Sequence, residues 1–449
     1  MAVSITQAMG CLVADTATDS IPKPVIERAK VSLIHNLAVG LAGRARVKVA
    51  HTMATHFWNL PAEATLLMDG ARISFEGAAF ANTALMNARS QDDTHAASTS
   101  HPGSPTMAAA LAAAEISHSS GAEFLAAIVL GYEVLCRIGR DFDHLITERG
   151  FRAAAVLGGF GAAAAAARLI RLSAAETGHA LGLMANMSGG LTQVWREGSS
   201  EGPLQLGFAA RNGIAAVRAA SVGASAAPHA LEGLSGFYNA YAGTARAPHK
   251  AGEDSGQEWQ LSEVTVKPYP VCAILQGPVG LFLDLVREHG ITPEAVAEIA
   301  VDLSPYEAAY PGIDFAGPFS SSIATKMSAQ FSLALAAVDG RVTPDGLDRI
   351  TDDRVMAVSR HVRVCADPAI EPRRSRVAIW LADGRKLSGS VDTPVGQPGF
   401  DEAARLAFSL APEIGADEAS IDRLVNEVAA LDRAPALQKL IACAVACRG

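Results

Sequence analysis

The run Ala153-Ala-Ala-Val-Leu-Gly-Gly-Phe-Gly-Ala-Ala-Ala-Ala-Ala-Ala-Arg-Leu169 decides the fold, because Arg168 is its only polar residue. A helix without a polar face has to be covered on every side, which places it inside a multilayer helical assembly. The same alanine bias at helical spacing predicts neighbouring helices over Ser74 to Ser90, Thr106 to Ile116, Gly121 to Ile138, Ala174 to Met187, Gly207 to Val222 and Leu231 to Tyr241. Pro22 to Ala42 is amphipathic instead. Its apolar residues Val25, Ala29, Leu33, Ile34, Leu37 and Leu41 keep to one stripe, with Pro22 and Pro24 at the entry.

A chain of 449 residues exceeds one ordinary core and predicts two domains. Hydrophobic residues at 49% and charged residues at 18% exclude a disordered chain. The net charge of −9 offers no basic footprint for nucleic acid or an anionic membrane, so an anionic ligand needs a local cationic pocket. The six cysteines lack both disulfide-framework and zinc spacing, and Cys443 and Cys447, four apart in an apolar run, are expected as buried helical thiols rather than a metal pair. Neither a signal peptide nor the roughly 18 apolar residues of a membrane span is present. These features together predict a cytoplasmic protein with no metal, nucleic-acid or membrane partner.

The polar stretch Lys250 to Gln257 reads as a linker, and the periodicity changes after it. Val264 to Pro270 looks extended, Ala273 to His289 helical, Val296 to Leu303 strand-like and Thr325 to Leu335 helical. Val362 to Cys365 and Arg376 to Val391 alternate as strands, with Asp383-Gly384 as a hairpin turn. The prediction is a mainly α protein: a helical domain over residues 1–264, onto which 399–449 packs back, and a smaller α+β domain over 265–398.

Chemistry concentrates in Gln91-Asp92-Asp93-Thr94-His95 and in His101-Pro102-Gly103-Ser104-Pro105, just ahead of the Thr106 helix. Prolines that hold off the helix until about Thr106 would leave its first N–H groups facing outward, a setting for an anion. Asp, Ser and Thr before a helix also serve as plain caps. Two imidazoles in one turn-rich loop need a further reason. The glycine-rich Leu157-Gly-Gly-Phe-Gly and Ser188-Gly-Gly lack the strand and spacing of a dinucleotide fingerprint.

Asp92-Asp-Thr-His95, His101-Pro-Gly103, Leu157 to Ala163, Leu231-Glu-Gly233 with Gly236-Phe237, Lys267-Pro-Tyr-Pro-Val-Cys272 and Ala329-Gln-Phe-Ser-Leu333 stand in the order of the MmgE/PrpD family, which the chain resembles over nearly its whole length. Members include 2-methylcitrate dehydratases, cis-aconitate decarboxylases and iminodisuccinate epimerase. The resemblance implies a site in a crevice between two domains, di- or tricarboxylate substrates, no metal or organic cofactor, and a homodimer. It places Asp93, Thr94 and His101 in the active-site loop and Lys267 and Tyr269 in the domain-boundary motif. Three family positions differ. Arg152 stands where a Gly-Phe-His histidine is usual, Gln205 ends the segment that replaces Lys-Arg-Leu-His, and Gln276 replaces a histidine four residues past Cys272.

Eliminating water needs an acid for the leaving hydroxyl, and decarboxylation an acid for the new C–H bond. Replacing histidines by arginine and glutamine keeps anion binding and removes titratable groups. Epimerisation at a carbon next to a carboxylate needs one group to remove a proton and another to return it. The chain is therefore expected to be closest to the iminodisuccinate epimerases, with Lys267 and His101 as the two proton-transfer groups and Asp93 assisting. A methylcitrate-type dehydratase and an idle polycarboxylate binder are the alternatives. Lys267 serves as base or carboxylate clamp, and Asp93 orients an imidazole, hydrogen-bonds a substrate or is a buried structural carboxylate. Arg152 at a helix mouth binds anions, Thr94 binds substrate, His95 binds substrate or faces solvent, Tyr269 donates a hydrogen bond to a carboxylate or packs, and Gln205 and Gln276 are substrate contacts.

Overall fold

The computed structural model describes residues 3–244, 258–393 and 395–447, so the linker expected at Lys250 to Gln257 lies outside the described residues. The chain divides into two compact units, Met1–Leu191 with Pro203–Val266 and Pro398–Gly449, and Thr192–Gly202 with Lys267–Gln397.

The first unit is built around the Ala153–Leu169 helix, in which Arg168 alone is not buried. Helices Gly121–Gly139 and Gly103–Ser117 flank it, and Ala174–Ala185 packs beside it. Small residues set the spacing. A Cβ on Gly131 would lie 2.8 Å from the Gly161 carbonyl oxygen and 2.4 Å from the Thr106 methyl, so these helices approach backbone to backbone. Phe160 supplies bulk where alanine cannot, and its full burial is worth roughly 1.5–3 kcal/mol. Arg168 turns outward and donates to the carbonyls of Val13 and Ala14 at 3.1 and 2.9 Å. The C-terminal helices join this unit through Lys30, whose ammonium meets Glu27 and Asp432 at 2.8 Å each and the Ala429 carbonyl at 3.0 Å. Short antiparallel pairs complete it: β1 (Ala64–Thr65) with β2 (Arg72–Ile73), and β3 (Thr94–His95) with β4 (Val264–Thr265).

The second unit carries a four-stranded sheet in the order β6-β5-β7-β8, from β5 (Val296–Leu303), β6 (Val362–Ala366), β7 (Ser375–Leu381) and β8 (Lys386–Val391). The β5–β6 pair is parallel and the others antiparallel. Alternation puts Val377, Ile379 and Leu381 into the core, against helix Gln276–His289 and in one cluster with residues of helix Ala329–Asp339. Asp383-Gly384 forms the β7–β8 turn, with Gly384 at φ +87°, where a side chain would be strained.

Local departures from the sequence pattern have identifiable causes. The helix expected from Thr106 starts at Gly103, because Pro105 falls in the first turn, where its missing N–H has no intrahelical partner to lose. The Gly207 helix begins at Gly202. Leu231 to Gly236 is a series of turns, with Gly233 and Gly236 donating to His229 and Gly233 carbonyls, and helix runs only over Phe237–Ala242. Thr325 to Leu335 is interrupted at Ser328, whose hydroxyl caps the next helix by accepting the Phe331 N–H at 3.0 Å. No helix among the described residues is long and apolar enough to cross a membrane.

Candidate active site

The loop at the entrance to the Gly103–Ser117 helix is shaped by residues far away in sequence. Thr94 pairs with Thr265 and His95 with Val264. Past β3 the chain makes a single helical turn over Ala96–Ser98 and reverses at Thr99. Thr99 adopts φ +43°, unusual for a β-branched residue, and Ser100 exchanges backbone hydrogen bonds with His95 at 3.0 and 3.3 Å. The reversal returns His101 to Asp93.

Both aspartates of the loop are fully buried. Asp92 Oδ2 accepts from Asn87 and from the Ser104 hydroxyl, each at 2.8 Å. Asp93 Oδ1 accepts the Gly103 N–H at 2.9 Å, and its Oδ2 accepts the Tyr132 hydroxyl. Burial pushes the Asp93 carboxyl up to about 6, against the lowering effect of the Tyr132 bond. These carboxylates brace a helix start.

His101 is different, with one fifth of its side chain exposed. Its Nδ1 lies 2.9 Å from the Asp93 main-chain oxygen, 3.3 Å from the Thr94 hydroxyl and 3.9 Å from Asp92 Oδ1. A carbonyl only accepts, so Nδ1 carries a proton, and in the neutral form of the ring Nε2 is the basic nitrogen. His95, by contrast, is 1% exposed, bonds Ser98 Oγ through Nδ1 at 2.8 Å, and is held neutral, its pKa pushed down to about 4 chiefly by burial and then by Arg140. It fixes the turn from inside rather than lining its mouth.

Arg152 is the N-cap residue of the Ala153–Leu169 helix and is 5% exposed. Its N–H donates to the Gly190 carbonyl at 3.0 Å, and its guanidinium lies 3.4 Å from Gln205 Oε1, while Gln205 Nε2 donates to the Leu191 carbonyl at 3.2 Å. Gln205 thus links the arginine to the 188–191 turn. A guanidinium beside a helix N-terminus is an arrangement for binding an anion.

In the second unit, Lys267 is 2% exposed and acts electrostatically on the Cys272 thiol. Gln276 spends both ends of its amide on its own loop: Oε1 accepts the Tyr269 N–H at 3.0 Å, and Nε2 donates to the carbonyls of Tyr269 and Val271 at 3.0 Å. The structure therefore gives this glutamine a backbone to hold rather than a ligand. Tyr269 is half-buried, and burial raises its phenol pKa.

The structure adds residues that sequence reasoning missed. Tyr132 and Asn36 lie in the buried stretches of long helices with no motif around them, yet both converge with Asp93 on Gly103. A Cβ there would come within 2.6 Å of Tyr132 Oη, Asp93 Oδ1 and Asn36 Nδ2. Glu133, next to Tyr132, is buried, accepts the Gln260 N–H at 2.5 Å and Arg137 Nε at 3.0 Å, and is pushed up to about 7 by burial. Among the described residues no cluster of three or more His, Cys, Asp or Glu is placed to hold a metal ion.

Comparison with known proteins covers both units. A family model described as the MmgE/PrpD N-terminal domain matches residues 7–249, and one described as the MmgE/PrpD C-terminal domain matches residues 269–406. The chain is similar to a cis-aconitate decarboxylase of Aspergillus terreus, 27% identical over 95% of this chain and 92% of that protein. It is 26% identical to a cis-aconitate decarboxylase-like protein of Aspergillus oryzae over 98% of this chain and 97% of the relative. A cis-aconitate decarboxylase of Mus musculus is 24% identical over 88% of this chain and 83% of its own length.

Proposed function

The chain belongs to the MmgE/PrpD family, and from that premise we propose that it is an enzyme moving a proton at a carbon next to a carboxylate of a small di- or tricarboxylate. The favoured reaction is epimerisation of an amino dicarboxylate such as iminodisuccinate.

The observation that carries this reading is the division of labour in the 91–103 loop. Both carboxylates are buried as braces, whereas His101 is partly exposed with Nε2 as its base. One base of this kind suits removal of a proton from carbon. Arg152 and the first N–H groups of its helix offer positive potential to a substrate carboxylate and to enolate-like charge. Lys267, two residues beyond Thr265 in sequence, is proposed as the second proton-handling group. The replaced family histidines support the choice: Gln205 steadies Arg152 and Gln276 staples its loop, so neither supplies the acid that water loss or decarboxylation requires.

The similarity to cis-aconitate decarboxylases favours a second reading, release of carbon dioxide from a tricarboxylate. The test runs the purified protein in deuterated water with separate iminodisuccinate stereoisomers, and in parallel with cis-aconitate. Solvent deuterium at the α carbon with interconversion of stereoisomers is the expected result. Carbon dioxide from cis-aconitate with no exchange into iminodisuccinate would replace epimerisation by decarboxylation.

A further inference from the structure

We propose that Tyr132 is a positioning residue for His101, acting through Asp93: its phenol holds the carboxylate whose own main chain fixes the imidazole. The proposal rests on the reading of His101 as a proton-transfer group.

The chain of contacts is continuous. The Tyr132 hydroxyl donates to Asp93 Oδ2, Asp93 Oδ1 accepts the Gly103 N–H at 2.9 Å, and the Asp93 carbonyl accepts His101 Nδ1–H at 2.9 Å. Residue 93 is thereby clipped to residues 101 and 103 together, from opposite ends of one amino acid. Tyr132 lies on the Gly121–Gly139 helix, fully buried, and reaches the loop from a rigid core element. Gly103 shows how closely the parts fit, since even a methyl group there would meet the phenol and carboxylate oxygens at 2.6 Å. The groups acting on Asp93 are Asp92 on its loop, Tyr132 and Cys136 on one helix, and Arg28 and the hydrogen-bonding Asn36 amide on the Lys23–Leu41 helix.

Without the phenol, burial drives the carboxyl toward its neutral form. A protonated Asp93 needs an acceptor, and neither the Gly103 N–H nor the Asn36 amide N–H, both donors to it, provides one. The side chain then has to turn, and its main-chain carbonyl loses its fixed relation to His101. The ring is released to exchange tautomers, moving its basic nitrogen between Nε2 and Nδ1.

The experiment uses the full chain labelled with isotopically enriched histidine, with the His101 signals assigned by their loss in His101→Asn. In the unsubstituted protein His101 is expected as the Nδ1–H tautomer near neutral pH. Tyr132→Phe is expected to give a mixture of tautomers and a displaced titration of that ring. It should also lower kcat roughly tenfold to a hundredfold with little change in KM, a part of the ~10²–10⁴ that a positioned base supplies. A second pair guards against failure to fold: Asp93→Asn keeps a hydrogen bond to the phenol and should keep the tautomer, whereas Asp93→Asn with Tyr132→Phe should lose it. An Nε2–H ring in the unsubstituted protein would overturn the proposal. So would an unchanged tautomer in Tyr132→Phe, or in the double variant against Asp93→Asn. If His101→Asn retained full exchange, the reading of His101 as base would fail, while the tautomer data would still decide whether Tyr132 positions the ring.

Discussion

The loop from Gln91 to Gly103 and the loop from Lys267 to Gln276 solve the same problem with different chemistry. Each leads into a helix and carries candidate functional groups, and each needs its backbone held while those groups stay in place. The first is braced by buried carboxylates that reach forward to Gly103 and Ser104. The second is braced by an amide that reaches back from the first residue of its helix to Tyr269 and Val271. A carboxylate only accepts and changes charge, whereas an amide both donates and accepts and stays neutral. The first brace is therefore built to feel pH, and the second is not.

The largest expected effect separates these braces directly. Asp93→Ala leaves the Gly103 N–H and the Tyr132 hydroxyl buried without their acceptor, at about 1–3 kcal/mol for each such group. Relief of carboxylate burial returns part of that, for a net loss of roughly 2–4 kcal/mol in urea unfolding. The loss should depend on pH. The folded-state pKa of Asp93, about 6, lies above the unfolded value of 3.8, so the folded protein binds more protons between them. The wild-type contribution is full below pH 3.8 and declines as pH rises through about 6. The cost of Asp93→Ala should accordingly be larger at pH 5 than at pH 8; a cost that grows with pH would break the comparison.

Gln276→Ala should cost about 1–3 kcal/mol, the price of orphaned backbone groups, and the same amount at both pH values. A pH-dependent loss here would show that the amide brace is coupled to a titrating group.

A smaller effect comes from neighbours of the first loop that titrate in opposite senses. Glu133 is raised to about 7 from 4.5, so it adds stability as pH falls through about 7, completely below 4.5. His95 is lowered to about 4 from 6.5, so its contribution is full above pH 6.5 and is lost as pH falls through about 4. The two oppose each other between pH 6.5 and 4.5. Glu133→Gln removes one side, and its unfolding free energy in urea should fall more steeply on acidification than that of the parent, by on the order of 1 kcal/mol across that interval.

How much of this was legible in the sequence depends on how local each cause is. The all-apolar Ala153–Leu169 helix, the Val296–Leu303 strand and the Asp383-Gly384 turn are set by residues inside the element, and the sequence pattern located each of them. The helix starts at Gly103, ahead of the point its prolines suggest, because the rule against proline applies to helix interiors and Pro105 is not in one. In the first loop His101 and Asp93 stood out by residue type. Their connections did not, because Thr94 pairs with Thr265, and Asp93 is held by Tyr132, across distances along the chain that no periodicity reports. Tyr132 and Asn36 look like core residues because they are core residues that each carry one polar tip. Gln276 looked like a substrate contact for the converse reason, since an amide's partners are invisible until the backbone is folded around it.

The smallest effect tests whether the two glutamines at replaced family positions differ as their geometry says. Gln276 is buried and makes bonds of 3.0 Å to backbone, whereas Gln205 is partly exposed and meets the Arg152 guanidinium at 3.4 Å. A long, part-buried bond contributes little to folding, so Gln205→Ala should change the unfolding free energy by less than about 0.5 kcal/mol. Its consequence should fall on the arginine, which loses a contact that limits its rotamers. If Arg152 holds a substrate carboxylate, KM should rise about twofold to fivefold with kcat unchanged, matching a loss of roughly 0.5–1 kcal/mol of uniform binding. A fall in kcat at constant KM would instead place Gln205 in the transition state and end the distinction between an amide that steadies a cation and one that staples a loop.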